Sequence, residues 1–90
     1  MTMPITNGQQ TIGTVAVPVD GVSTYQSTIV IHNNDTTKNL YIGGSAVTST
    51  NGVPLAKLQF IELPVPPLEQ YYLVAESGTV SVSWVKVEQD

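Results

Sequence analysis

The sequence predicts an all-β domain: a small antiparallel β-sandwich of jelly-roll type, or a partly open barrel, of about six to eight strands. Two observations predict it. Valine, isoleucine and threonine dominate the regular stretches, and no apolar series recurs at helical spacing. Glycine and proline punctuate the chain at short intervals, which suits short strands joined by tight turns.

The elements follow in order. QQTIGTVAVPV is the first strand, with Val15, Val17 and Val19 alternating with smaller residues. In TYQSTIVIHN, Tyr25, Ser27, Ile29 and Ile31 share one face, while Gln26, Thr28, Val30 and His32 share the other. KNLYIGG, LAKLQFIEL and EQYYLVAE are read as further strands, with Phe60 in the core. TVSVSWVKVE closes the chain with Val80, Val82 and Trp84 facing inward. After Trp84 the phase slips, because Val85 and Val87 are now the apolar residues. Either a bulge near Trp84 restores one buried face, or a neighbouring chain covers the outer one.

The gaps carry turn chemistry. Gly43 and Gly44 end a strand and let the backbone bend, Asn51-Gly52 is the strongest hairpin signal, and Gly78 sits in a tight turn before the last strand. Pro64, Pro66 and Pro67 lack amide donors, which places that stretch at a sheet edge or in an extended arm. Residues 1–10 are expected to form an N-terminal arm, and 11–90 a single β domain.

Size and charge then bound the function. Ninety residues without cysteine make one domain with no disulfide or thiolate metal site, so association with other chains is a natural source of robustness. Seven carboxylates against three lysines leave a net charge of −4, and no basic cluster suits nucleic acid or an anionic membrane. MTMPITNGQQ has neither a basic start nor an apolar run, so a protein made in the cytoplasm without a signal peptide is expected.

No reactive constellation emerges. YIGGSAVTSTNGVPL leads into no helix that could cradle a phosphate. His32 is the sole histidine and lacks metal-binding partners, and no serine stands beside Lys38, Lys57 or Lys86 in the sequence. The glutamates are scattered at strand ends. The expectation is a non-enzyme with no cofactor and no metal. Tyr71 and Tyr72 face opposite sides of a strand, one toward the core and one outward. Asn34-Asp35-Thr36 fits the glycosylation pattern and is read as a turn.

TIVIHNND, LYIGGSAVTSTNGVPL, LQFIELP and YYLVAESGTV, followed by a valine-rich final strand, together resemble a group of small bacteriophage virion proteins. The match spans Thr28 to Glu88, and Met1 to Val19 lies outside it. The resemblance implies a capsid decoration or cement protein located on the virion surface. Its partner would be the major capsid protein or another virion protein, and a homotrimer is favoured. A glycan-binding or connector module of a fibre or tail is the alternative. The candidate interface comprises Pro64, Val65, Pro66, Pro67, Tyr71, Tyr72, Val47 and Val53.

Overall fold

The computed structural model describes residues 5–88. Eight strands run in order: β1 (Ile5–Ile12), β2 (Val17–Pro18), β3 (Ser27–Asn33), β4 (Leu40–Gly43), β5 (Val53–Leu55), β6 (Phe60–Val65), β7 (Tyr72–Ala75) and β8 (Val80–Glu88). They form two antiparallel four-stranded sheets ordered β1-β8-β3-β6 and β2-β7-β4-β5. Pairing of β1 with β8, β2 with β7, β3 with β6 and β4 with β5 is the wrap of a jelly roll, so the sandwich form of the expected fold is the one adopted.

The core lies between the sheets. Ile12, Ile29, Ile31, Val65, Val80 and Val82 from the first sheet meet Val19, Leu40, Ile42, Leu55, Leu73 and Ala75 from the second region, with Trp84 and Tyr71 packed on the margin. Full burial of each such aliphatic side chain stabilises by about 1.5–3 kcal/mol. In the middle of β1, Gly8 pairs with Trp84, and a Cβ there would lie 2.9 Å from Trp84 Cζ2. The indole therefore occupies the space a side chain would need.

Several sequence expectations change. Residues 5–10, read as part of an arm, are β1, paired along their length with β8; residues 1–4 lie outside the described residues. QQTIGTVAVPV is two strands rather than one, because the chain bends at 13–16 to cross between sheets and leaves Val15 exposed. LAKLQFIEL is likewise divided. Leu58 adopts a left-handed conformation (φ 59°) in a turn closed by Gln59 N–H donating to Ala56 O. That turn resets the alternation, so Ile61 and Leu63 face inward. Phe60, expected in the core, is 67% exposed on the outer face.

β8 contains no bulge. Its register against both β1 and β3 is unbroken, so alternation persists past Trp84: Lys86 points inward, and Val85 and Val87 point out. Prolines behave as their chemistry demands. Pro18, Pro54 and Pro64 lie in β2, β5 and β6, each an edge strand.

The register assigns every connection to one of two ends. The β1–β2, β3–β4, β5–β6 and β7–β8 connections share one end, here the near end. The β2–β3, β4–β5 and β6–β7 connections share the other, the far end.

Candidate functional site

At the far end, Pro66 and Pro67 leave β6 and enter a turn in which Glu69 N–H donates to Pro66 O. Leu68 takes φ 64° and is exposed, while its N–H donates to Ser23 O at 2.7 Å. The Gln70 amide donates to Asp20 O, and the Tyr71 hydroxyl donates to Pro64 O at 2.7 Å. These loops frame a cleft of about 340 Å³ lined by Gly43, Gly44, Val65, Pro66, Glu69, Gln70 and Tyr71. A second hollow beside it includes Val22, Leu68 and Tyr72.

The candidate interface residues thus separate. Pro66, Pro67, Tyr71 and Tyr72 gather at the far end. Pro64 lies on the outer face of the first sheet, and Val53 is 59% exposed on the edge strand β5. Val47 and Val65 do not qualify, since both are buried within the chain itself. Val65 belongs to the core. Val47 closes the β4–β5 loop over two glycines: a Cβ on Gly43 would sit 2.8 Å from Val47 Cγ2, and one on Gly52 would sit 2.7 Å from it. Asn51 Oδ1 accepts from Thr48 N–H within the same loop, and Gly78 has φ +57° in the turn before β8. The glycine-rich run is a chain reversal packed around its own valine.

Behind the far-end cleft lies a polar cluster that the alternation slip foreshadowed. Lys86 is 5% exposed. Its ammonium donates to Asp20 Oδ2 at 2.7 Å, Ser23 Oγ at 2.8 Å and Gly21 O at 3.2 Å. Ser23 Oγ in turn donates to Glu88 Oε1 at 2.9 Å. The fold thus does set a serine beside a lysine, which the sequence alone had not indicated. A lysine acting as a general base needs a free lone pair, whereas this amine nitrogen is engaged by three acceptors, one of them a carboxylate. The arrangement fastens the β2–β3 loop to β8.

The near end has its own clasp. Asn33 is fully buried, and its Nδ2 donates to Lys38 O at 3.0 Å and Leu55 O at 3.1 Å. Its Oδ1 accepts from Asp35 N–H. One side chain therefore ties β3 to the starts and ends of strands in the opposite sheet. Next to it, the Asp35 carboxylate accepts from the Thr37 and Lys38 backbone N–H groups and from the Thr37 hydroxyl.

Those backbone donors, Thr37 first, hold the Asp35 carboxyl below the ordinary aspartate value of 3.8. A depressed folded-state pKa means that the group's contribution to stability is present above that ordinary value and fades as pH falls through the lower one. A carboxyl-detected NMR titration of the native protein is expected to place the Asp35 midpoint below that of a solvated aspartate. A midpoint at or above it contradicts the turn geometry.

His32 lies half-buried on the outer face of the first sheet, with Nδ1 2.6 Å from Asn34 Oδ1. The Asn34 amide also donates to Ser83 Oγ at 2.8 Å, so the sequon asparagine is engaged as part of the turn. Among the described residues no three His, Asp or Glu side chains converge as a metal site would require.

That outer face is the feature the sequence reading did not assemble. The register sets Ile5, Val87, Thr28 and Pro64 in one row across the sheet, Asn7, Val85, Val30 and Glu62 in the next, and Gln9, Ser83, His32 and Phe60 in a third. Ile5 is 68% exposed and Phe60 67% exposed. The apolar residues after Trp84 gave the signal, since Val85 and Val87 occupy outward positions.

No protein-family model and no curated protein matches the sequence. A solved structure from work on Bacillus endospore appendages, described as a novel family of disulfide-linked pili, is similar in fold. Its TM-score is 0.63 at 12% identity, over 98% of this chain and 87% of that one. At that identity the likeness establishes a shared fold.

Proposed function

We propose that this chain is a non-enzymatic, multi-copy structural protein of a bacteriophage particle, a decoration protein that docks on the major capsid protein lattice and stabilises the head. The observation that carries the reading is the outer face of the first sheet, where Ile5, Phe60 and Val85 stand exposed on a sandwich whose core is already filled. Only 11% of the residues are charged, so little charge must be desolvated when such a face is covered. The polar clusters at both ends are consumed in holding loops, which leaves docking as the work of the exterior.

The resemblance of the sequence motifs to those of small phage virion proteins is what supports the setting. The endospore appendage protein supports the reading more generally, as a protein of this fold from disulfide-linked pili. Its disulfide linkage has no counterpart here, because the chain contains no cysteine. Cement of this kind works through number. An interface of about 800 Å² per partner is an ordinary specific contact, and many copies bound to one lattice act together.

The test is cosedimentation of the purified protein with expanded, undecorated capsids. Saturable binding at repeated lattice positions is expected, reduced at least about tenfold in Phe60→Ser if that face makes the contact. Failure to bind capsids overturns the assignment, and binding to host polysaccharide in its place favours the fibre-type glycan role.

A further inference from the structure

A β-sheet of four strands has two edges, so this sandwich has four, and the chain treats them unequally. Edge strands present unpaired N–H and C=O groups that invite another strand, and proteins blunt them with proline, charge or brevity. β2 has two residues, one of them Pro18, and β5 has three, centred on Pro54. β6 carries Glu62 and Pro64, and the Pro64 carbonyl is taken by the Tyr71 hydroxyl. β1 is different. Its eight residues, Ile5–Ile12, contain neither proline nor charge, and they lie at the rim of the first sheet, paired among the described residues with β8 alone.

We infer that β1 is a pairing edge, and that its partner is β1 of a second copy of this chain. The other three edges of a second copy are blunted, so β1 is the one strand it can offer at matching length. Two identical strands that pair edge to edge about a two-fold axis run antiparallel, and the contact closes on itself without propagating into a filament. Two four-stranded sheets then join into one of eight strands.

The pleat restricts the register further. Ile5, Asn7, Gln9 and Thr11 face outward, whereas Thr6, Gly8 and Gln10 face the interior side, Gly8 beneath Trp84. Directly opposed residues lie on the same face of a sheet, so an outward residue of one copy must meet an outward residue of the other. The axis therefore passes through a residue and not between two. A central axis falls at Gly8 or at Gln9, and either choice brings the exposed Ile5 of each copy onto one continuous outer face with Val85 and Val87. The polar, uncharged outward residues Asn7, Gln9 and Thr11 can face their symmetry mates without repulsion.

This pairing deepens the multi-copy reading but requires no capsid, so the two stand or fall separately. It favours two-fold over three-fold association of the free protein. The experiment is sedimentation velocity of the full chain at about 100 μM, where a micromolar contact is fully populated. The expected species has twice the 9.6 kDa chain mass. Gln9→Lys, an exposed substitution that sets two ammonium groups across the axis, is expected to give monomer with an unchanged circular dichroism spectrum. Phe60→Ser is expected to remain dimeric. In native-state amide exchange, alternate β1 amides, those directed away from β8, are expected to be protected at high concentration and to lose protection on dilution. A monomeric native protein, a Gln9→Lys dimer, dissociation by Phe60→Ser alone, or β1 exchange independent of concentration overturns the inference.

Discussion

Replacing Asn33 with leucine is expected to remove most of the stability of this domain, and Asn33→Asp is expected to be nearly as damaging. Asn33 is fully buried, and its side chain hydrogen-bonds two carbonyl oxygens and one N–H at the near end. Leucine fills much of the volume and strands all three groups. A buried backbone polar group left unpaired costs about 1–3 kcal/mol, and because the Lys38 and Asp35 contacts are only part-buried the total is expected at about 3–6 kcal/mol, short of three full penalties. Small domains have only about 5–15 kcal/mol in hand. Aspartate keeps the shape but turns acceptor oxygens toward the carbonyls of Lys38 and Leu55, where the amide had donated. Urea titration followed by tryptophan fluorescence, with Trp84 as the sole reporter, measures both variants. A loss below about 1 kcal/mol for Asn33→Leu shows that the near-end clasp is dispensable.

Lys86→Met is the second large effect. The substitution preserves an unbranched chain of similar length, so packing is little changed. It withdraws the ammonium that Asp20, Gly21 and Ser23 share, and it leaves the Asp20 and Glu88 carboxylates facing a site with no cation. Breaking a buried pair on one side costs about 3–5 kcal/mol. Here Asp20 retains 26% side-chain exposure, so about 2–4 kcal/mol is expected after solvent screening. The companion variant separates charge from packing. Adding Asp20→Asn to Lys86→Met removes the uncompensated carboxylate, and the double variant is expected to recover at least about 1 kcal/mol relative to Lys86→Met alone. A strictly additive cycle in denaturant melts shows instead that the ion pair is not what holds the β2–β3 loop.

The same residues show why the fold was legible and the candidate surface was not. Alternation in STIVIHN grouped Ser27, Ile29 and Ile31 on one face, and that grouping holds in the structure, where the face is the inner one, because β3 is central and paired on both sides. Proline likewise marked edges, since a missing amide is a local fact that no tertiary contact can repair. Phe60 was misplaced because its facing depends on where a strand begins. That point is set by a left-handed leucine at position 58, a conformation sequence gives little reason to expect. The bulge, one of the two readings offered for the slip after Trp84, is absent for a related cause. A lysine in an apolar alternation looks like a register error until a carboxylate from 66 residues away in the chain meets it. Val47 could not be told from an exposed loop valine, because its burial comes from the two glycines whose missing side chains make room for it. The exposed face proposed to dock is assembled from β1, β8, β3 and β6, strands distributed over the whole chain, so no local motif announces it.

Copy number in the assembled particle bears most directly on the whole account. Quantitative mass spectrometry of purified virions, scaled to the major capsid protein, is expected to find this chain at a fixed and high multiple, of the order of one copy per few capsid subunits. Absence from the particle, or a handful of copies in a chain that instead turns over a substrate, contradicts a protein whose work is done by a packed sandwich and its exposed faces.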